Sequence, residues 1–400
     1  MIRIGSMERA AAQAALWTLV VLLAGCAHRL KGPNYGADSP PWIAPDLVAS
    51  RPMGAKASES GPSPADIPPD ASPLDRVHRV VLIGDAGYYL EDDPTLAALA
   101  RWTADAERSS VVFLGDNIYD EGMTDEDRAR GEKILGHQLA ATRAAKYVIP
   151  GNHDWGFFSK KYNAKSINNQ QLFVDGWPAG RADFVPKDGC MGPELRTLAE
   201  ADGERPAVVL IALDPTPWIH PRLRALCSHA QTTEAHLARL AELLAASRDD
   251  FVIVASHYPM RTGGPHGGLS YGFVADLFVT PLGWLMGGLG NTYEPGYADW
   301  IAKTEAVLRG HPPELYAAGH DHNLQLLDAR GAAGLYVVSG AGAVERVSTV
   351  TPIPETRFAH AVPGFVAVEF GLRDGRPVTR LRVVESTAED AVFEMELPVD

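Results

Sequence analysis

Five short polar blocks follow hydrophobic runs along this chain of 400 residues. The blocks are Gly84-Asp85-Ala86-Gly87, Gly115-Asp116-Asn117-Ile118-Tyr119, Gly151-Asn152-His153-Asp154, Val254-Ala255-Ser256-His257 and Gly319-His320-Asp321-His322. Their carboxylate, phenol, amide and imidazole groups are metal ligands, and seven of them suffice for two ions. One shared carboxylate would hold two ions about 3.5–4 Å apart, the spacing that suits in-line hydrolysis of a phosphoester.

The segments between these blocks alternate between strand-like and helix-like patterns, which indicates βαβ units. Strands are predicted over 79–84, 110–115, 146–150, 207–214, 250–255, 314–318 and 334–339. Helices are predicted over 94–107, 124–139, 231–247 and 296–309, and antiparallel strands over 365–370, 378–385 and 392–398. Each block therefore follows the carboxyl end of a strand, where open α/β sheets build their ligand sites, so we expect the blocks to converge.

Composition and charge limit the classes of partner. Hydrophobic residues make up 46% of the chain, which suits one large α/β domain, and we assign residues 77–400 to it. The formal net charge is −14 and the basic residues form no run, so a nucleic-acid partner is not expected. We expect a monomer that acts on a small phosphorylated substrate.

The first 26 residues have the features of an export signal. Arg3 and Arg9 precede an apolar stretch over 14–23 that is short for a membrane span. The end of this stretch, Leu23-Ala24-Gly25-Cys26, resembles a bacterial lipoprotein signal and implies a lipid on Cys26. Residues 27–76 are rich in proline and are predicted to be a tether. We therefore expect an exported protein, lipid-anchored in the bacterial cell envelope or periplasm, or otherwise secreted.

Two further features leave alternatives open. Cys190 and Cys227 could form a disulfide in an exported protein or remain separate thiols. The glycine-rich apolar stretch over 267–289 fits a buried insertion or lid over the site, or a loop that dips into a membrane.

In order and residue type, the five blocks resemble those of purple acid phosphatases of the small single-domain type, within the calcineurin-like metallophosphoesterase superfamily. The resemblance covers roughly residues 77–370 and implies an α/β fold, a four-layer α/β/β/α sandwich. Alternation of segments alone would also have allowed an ordinary three-layer fold. Tyr119 and the absence of a histidine at position 87 are typical of the purple acid phosphatases, and phenolate favours Fe(III).

The resemblance also implies a role for each ligand. It assigns Fe(III) to Asp85, Tyr119 and His322, a bridge to Asp116, and a divalent Fe, Zn or Mn to Asn152, His257 and His320. Metal-bound hydroxide would then attack the phosphorus of a monoester in an acid phosphatase reaction. His153 and His266 are the predicted catalytic residues, with His153 as general acid toward the leaving alkoxide. Asp154 is placed in sequence to orient His153, and the remaining histidines, such as His220 and His236, are expected at the surface or at helix caps.

Other functions fit parts of the same pattern. A phosphodiesterase or nucleotide pyrophosphatase could use the same metal site and differ only in its loops. A binding module could keep the fold without turnover, and an Fe(III)/Fe(II) pair could support redox chemistry. Taken singly, Asp85 and Asp116 could cap helices and Tyr119 could simply pack, but a core has no reason to collect so many polar groups after successive strands.

Overall fold

The computed structural model describes residues 36–49, 73–156, 164–178, 181–187, 190–227, 232–267 and 290–397. The strands in these ranges are β1 Trp42–Ile43, β2 Asp75–Ile83, β3 Ser109–Leu114, β4 Ala145–Ile149, β5 Ala182–Phe184, β6 Glu194–Ala199, β7 Val208–Ala212, β8 Phe251–Ala255, β9 Leu315–Ala318, β10 Leu324–Leu327, β11 Leu335–Ser339, β12 Thr356–His360, β13 Gly364–Arg373, β14 Arg376–Glu385 and β15 Phe393–Glu396. The α-helices are α1 Pro45–Ala49, α2 Pro94–Trp102, α3 Arg128–Ala140, α4 Ala164–Asp175, α5 Thr216–Ile219, α6 Thr233–Ala246 and α7 Pro295–Leu308.

These strands form two mixed sheets. The seven-stranded sheet has the order β15-β14-β13-β2-β3-β4-β5, and its strands β2 to β5 are parallel. The eight-stranded sheet has the order β1-β12-β10-β11-β9-β8-β7-β6, with β7, β8, β9 and β11 parallel. The two parallel segments bring the ends of β2, β3, β4, β8 and β9 to one edge of the molecule.

Alternate side chains of the central strands enter different layers. On β2, Val80 and Leu82 join the core shared by the two sheets, whereas Val81 and Ile83 pack against α2, α3 and α4. The outer face of the eight-stranded sheet packs in the same way against α5, α6 and α7. Strands buried on both faces are expected to be continuously apolar, as the hydrophobic runs before the blocks are. The predicted four-layer α/β/β/α sandwich is confirmed, and the three-layer alternative is excluded.

Part of the segment predicted as a tether lies on the folded domain. Strand β1 pairs antiparallel with β12 at the edge of the eight-stranded sheet, and Ala44 is buried. Trp42 packs on a small cluster around Val350. Pairing covers an otherwise open sheet edge, so residues 36–49 are an attachment to the domain and not free tether.

Several elements differ from the sequence predictions. The predicted helix over 94–107 ends at Trp102, and a separate turn of 3-10 helix follows at Ala106–Arg108. Strands β5, β6, β10 and β12 and helix α4 were not predicted. Strands β13 and β14 are joined by a tight hairpin, in which Asp374 and Gly375 both have positive φ.

Some expectations concern residues outside the described ranges. The export signal, Cys26 and most of the glycine-rich stretch, residues 268–289, belong to this group. Among the helices that the structure describes, none has the length and apolar character needed to cross a membrane.

Candidate metal centre

The ends of five strands bring all seven predicted ligands together. Asp85, Asp116 and Asn152 follow β2, β3 and β4 of one sheet, whereas His257 and His320 follow β8 and β9 of the other. Asp85, Asp116 and His320 have φ values of 61°, 53° and 71°. This left-handed conformation is uncommon for residues other than glycine and is found mainly where the surroundings enforce it, often at functional sites.

One group of donor atoms is called the phenol group here and consists of Asp85, Tyr119 and His322. The His322 side chain is 19% exposed, so this group lies on the side of the site that opens to solvent, called its mouth. The Tyr119 hydroxyl donates to Asp85 Oδ1 at 2.9 Å and lies 3.2 Å from His322 Nε2. The distance from His322 Nε2 to Asp85 Oδ1 is 3.3 Å. Three donor atoms therefore meet within hydrogen-bond distance of one another, with two oxygens among them, as a hard ion requires.

A second group, the imidazole group, consists of Asn152, His257 and His320 and is almost fully buried. His257 Nε2 lies 3.0 Å from Asn152 Oδ1 and 3.0 Å from His320 Nδ1. Asp116 Oδ2 is 3.4 Å from the same nitrogen. Ligand atoms of Asp85, Asp116 and His257 all lie within 4.8 Å of one another, so Asp116 lies between the two groups.

The hydrogen bonds of the histidine rings test whether these residues fit a metal. His257 Nδ1 lies 2.9 Å from the Leu114 carbonyl, His320 Nε2 lies 2.9 Å from the Gly290 carbonyl, and His322 Nδ1 lies 2.7 Å from the Arg346 carbonyl. Carbonyls only accept, so these nitrogens carry hydrogens and each neutral ring turns a lone pair toward the site. When both rings are neutral, the lone pairs on His257 Nε2 and His320 Nδ1 face each other and repel unless a proton or a metal cation lies between them, so the residues fit a metal site.

The pKa shifts of the buried groups also indicate that the site attracts positive charge. Burial alone would raise the pKa of Asp116, but the His257 and His153 imidazoles outweigh it and hold that pKa well below its usual range. Burial opposes protonation of His257, yet Asp116 raises the pKa of His257 to about 9. Burial and Asp85 raise the pKa of Tyr119, so the phenol stays neutral unless a cation ionises it.

The glycines that begin the blocks make room for ligands of other blocks. A Cβ on Gly115 would lie 2.6 Å from His257 Nδ1, and a Cβ on Gly151 would lie 2.2 Å from Asp116 Oδ1. No side chain fits at these distances without displacing the ligand. The Gly-Asp and Gly-Asn pairs in the sequence are therefore a consequence of close approach, between the two sheets at Gly115 and between adjacent strand ends at Gly151.

His153 faces the cluster, but Asp154 does not orient it as predicted. His153 Nδ1 lies 2.7 Å from the carbonyl of Asp120, so this carbonyl fixes the ring and leaves Nε2 3.8 Å from Asp116 Oδ2. The Asp154 carboxylate instead accepts from the backbone N–H groups of Gly151, Asn117 and Ile118. Asp154 therefore links the second and third blocks. Because the carboxylate is buried and cannot bind solvent, its hydrogen bonds must come from these backbone groups.

The other predicted catalytic residue, His266, lies beside the imidazole group. Its ring centroid is 4.0 Å from that of His320, and its backbone N–H donates to Asp321. The remaining histidines were expected at the surface or at helix caps. His220 is buried but caps the C-terminus of α5, as expected, whereas the expectation is wrong for His236, which is buried inside α6. His236 packs from α6 against the core, where an imidazole can hydrogen-bond the Gly192 carbonyl.

Three residues around the centre were missed or left without a role. Arg346 lies over the ring of Tyr119, with Cζ 4.4 Å from the ring centroid. Asp214, at the end of β7, accepts from the indole of Trp155, which follows the third block. No spacing pattern marks these residues, because they reach the site by packing and not by position after a glycine.

A family model described as calcineurin-like phosphoesterase matches residues 78–324, which include every ligand block. The chain belongs to the calcineurin-like phosphoesterases. It is 33% identical to tartrate-resistant acid phosphatase type 5 of Sus scrofa over 285 residues, which cover 66% of this chain and 69% of that protein.

Solved structures show the same fold at low sequence identity. A purple acid phosphatase from yellow lupin seeds matches with a TM-score of 0.51 and 14% identity, over 80% of this chain and 54% of that one. GAP50, described as the anchor in the inner membrane complex of Plasmodium, matches with a TM-score of 0.53 and 17% identity, over 81% and 89% of the two chains. This chain is thus a metallophosphoesterase with a buried Asp/His group that can hold metal.

Proposed function

We propose that this metallophosphoesterase is an acid phosphatase that hydrolyses phosphate monoesters with a mixed pair of metal ions. Fe(III) would be held by the phenol group, a divalent Fe, Zn or Mn by the imidazole group, and Asp116 would bridge them. The observation that carries the proposal is the convergence of two chemically different donor sets on one carboxylate. The relatives named as acid phosphatases support the choice of reaction.

When bound, two such ions supply Lewis acidity to the phosphoryl oxygens and lower the pKa of a water molecule. The chain's own residues would do the rest. The two sheets hold Asp85, Asp116 and the three imidazoles in fixed positions. The charges of the site are therefore in place before the substrate arrives, and no rearrangement is needed. The burial of this cluster excludes bulk water, which strengthens every electrostatic contact inside it.

His153 is the proposed general acid. Its Nδ1–H is held by the Asp120 carbonyl, so only Nε2 can deliver a proton to the leaving oxygen. Burial lowers the pKa of His153, although Asp116 opposes this shift. The protonated form therefore becomes more abundant as the pH falls, which is the direction expected for an acid phosphatase.

The test is a visible absorption spectrum with metal analysis and phosphate release, on protein lacking residues 1–26. We expect a broad band in the green, two ions per chain, and faster hydrolysis of p-nitrophenyl phosphate than of bis-p-nitrophenyl phosphate. Tyr119→Phe should abolish the band. Tyr88→Phe is the matched control, since Tyr88 stacks on Tyr119 with ring centroids 4.8 Å apart but donates no atom to the cluster.

Two outcomes would overturn parts of the proposal. A colourless native protein with two zinc or manganese ions would leave a metallophosphoesterase but remove the iron assignment. Preference for the diester would make the chain a phosphodiesterase that uses the same ligands.

We also propose that the protein is exported and carries a lipid on Cys26. The residue pattern of the first 26 residues supports this. Mass spectrometry of the mature protein and its partition into detergent would test the proposal, with Cys26→Ser as the control. A water-soluble mature form that begins elsewhere would contradict it.

A further inference from the structure

A guanidinium group lies at the mouth of the metal centre, on the side of the phenol group. Arg346 Cζ is 4.4 Å from the ring centroid of Tyr119 and 5.4 Å from that of Tyr88. About a third of the Arg346 side chain is exposed, at 32%. The guanidinium group therefore lies against the ring of Tyr119, close to the donor atoms, and is still partly open to the solvent from which a substrate must enter.

The charge of Arg346 is only weakly neutralised by this chain. Among the described residues, the carboxylate that approaches it is that of Asp120, with Oδ1 4.0 Å from Arg346 Nη2. That distance is the outer limit of an ion pair, and the Asp120 side chain is 59% exposed. By contrast, Arg79 meets Glu369 at 2.6 Å. The guanidinium contacts two rings, has a hydrogen bond with Tyr119 and faces one distant, solvated carboxylate. Since it has five N–H donors, it retains donors for another anion.

The backbone of Arg346 is held independently of its side chain. Its carbonyl lies 2.7 Å from His322 Nδ1 and orients that ring toward the cluster. The residue ends a short 3-10 turn, Val344–Arg346, that follows β11. The position of the guanidinium is therefore tied to a ligand of the site, and a substitution at 346 keeps the carbonyl that orients His322.

We propose that Arg346 is a specificity residue that favours phosphomonoesters whose alcohol carries a second anionic group, either a carboxylate or another phosphate. The proposal rests on the proposed phosphomonoesterase function. With the reacting phosphoryl group at the metal cluster, the alcohol portion extends toward the mouth, past Tyr119. The planar fork of Arg346 can there donate two hydrogen bonds to a carboxylate or phosphate, which a neutral alcohol cannot accept as strongly.

The test compares two substrates of matched size, glycerol 3-phosphate and 3-phosphoglycerate, which differ by a hydroxymethyl group in place of a carboxylate. The variants are Arg346→Gln and Arg346→Lys in the metal-loaded protein. We expect the wild type to have the higher kcat/KM for 3-phosphoglycerate. Arg346→Gln should lower the ratio of the two kcat/KM values about tenfold, mainly through KM, since a hydrogen bond to a charged group has about that value. Arg346→Lys should restore part of the ratio.

Arg248→Gln serves as the control because Arg248 is 75% exposed and pairs with its neighbour Asp249. It should leave the ratio as in the wild type. Raising the ionic strength should reduce the ratio in the wild type more than in Arg346→Gln, because the added contact is a partly exposed charge pair.

Three results would overturn the inference. An unchanged ratio in Arg346→Gln would show that the second anionic group does not meet this side chain. An equal loss for both substrates would show that Arg346 holds the reacting phosphoryl group instead. Loss of metal from Arg346→Gln would show that the residue is structural.

Failure of the proposed function is distinguishable from failure of this inference. If the wild type releases phosphate from neither compound, the proposed function is wrong. Calorimetric binding of the same two compounds to the metal-loaded protein then decides the inference alone. Tighter binding of 3-phosphoglycerate that disappears in Arg346→Gln supports it, and equal binding overturns it.

Discussion

Two buried aspartates, each directly after the end region of a parallel strand but in different sheets, behave in opposite ways. Asp116 follows β3 and Asp214 follows β7, and both are almost completely buried, at 2% and 0% exposure. Imidazoles around Asp116 hold its pKa well below the usual range. Burial raises the pKa of Asp214 to about 7, opposed by the hydrogen-bond donors Thr216 and Trp155 and less strongly by the His257 imidazole. The position after a strand is thus the same, and what converges on the carboxylate decides its chemistry.

The two regions therefore have different roles. The Asp116 region collects donor atoms from both sheets and suits cations. The Asp214 region holds Trp155 through a hydrogen bond of 2.8 Å, and Trp155 directly follows the block that contains Asn152 and His153. Asp214 supports the site from outside, as a positioning group.

The largest effect is expected from Asp116→Asn, which tests whether the Asp116 region is the metal centre. Removing the negative charge between the phenol and imidazole groups should release at least one ion and lower turnover about 1,000-fold. Metal analysis and phosphate release check this. Asp249→Asn, at an 88% exposed side chain, is the control and should behave like the wild type. A variant that retains both ions and full turnover would remove Asp116 from the centre.

The next effect separates proton transfer from metal binding within the same region. His153→Asn should lower turnover about 100-fold while the metal content stays unchanged, since His153 donates a proton and holds no ion. The part of the pH profile in which turnover falls as the pH rises, because His153 loses its proton, should disappear. Exposed His311 provides the control variant His311→Asn. Loss of metal from His153→Asn would make His153 structural and leave His266 as the candidate acid.

The positions of the predicted ligands could be read from the sequence better than the residues that orient and support them. All seven predicted ligands lie in short blocks that follow hydrophobic runs at strand ends, so the local pattern was enough to predict that they converge. Arg346 and Asp120 carry no such pattern, because their roles come from a ring face and a backbone carbonyl. The short strands β5 and β10 were missed for a related reason, since three or four residues are too few to show an alternation. Asp154 was misassigned because adjacency in sequence does not fix where a side chain points.

A smaller effect is expected from Asp214→Asn, which tests the other side of the comparison. Since folding raises the pKa of Asp214 from 3.8 to about 7, the protonated form is the one that stabilises the fold. That contribution is present below pH 4 and is lost as the pH rises to 7. Relative to Asp214→Asn, the wild type should therefore lose up to about 1.4 kcal/mol of unfolding free energy per pH unit in this window. Urea unfolding at several pH values measures the difference. Parallel curves for the two proteins would show that Asp214 is ionised in both states.

The smallest effect concerns the cysteine pair beside Asp214. The Cys227 thiol hydrogen-bonds with Cys190, and this contact together with burial raises the pKa of Cys227. Little thiolate is then available, so oxidation should be slow although the sulfurs are close. In oxidised glutathione we expect an intramolecular disulfide, seen as the loss of two hydrogens in the intact mass, and a gain of about 2 kcal/mol in unfolding free energy.

The same experiment returns to the comparison between the two regions. Because the cysteines lie on the Asp214 side, oxidation should leave the metal content and the turnover within about twofold of the reduced protein. Cys227→Ser, which cannot form the bond, is the control for any effect of glutathione itself. A large change in turnover on oxidation, absent from Cys227→Ser, would show that the Asp214 region does more than support Trp155. It would make the path from the cysteines through Asp214 and Trp155 to the third block a conformational link to the metal centre.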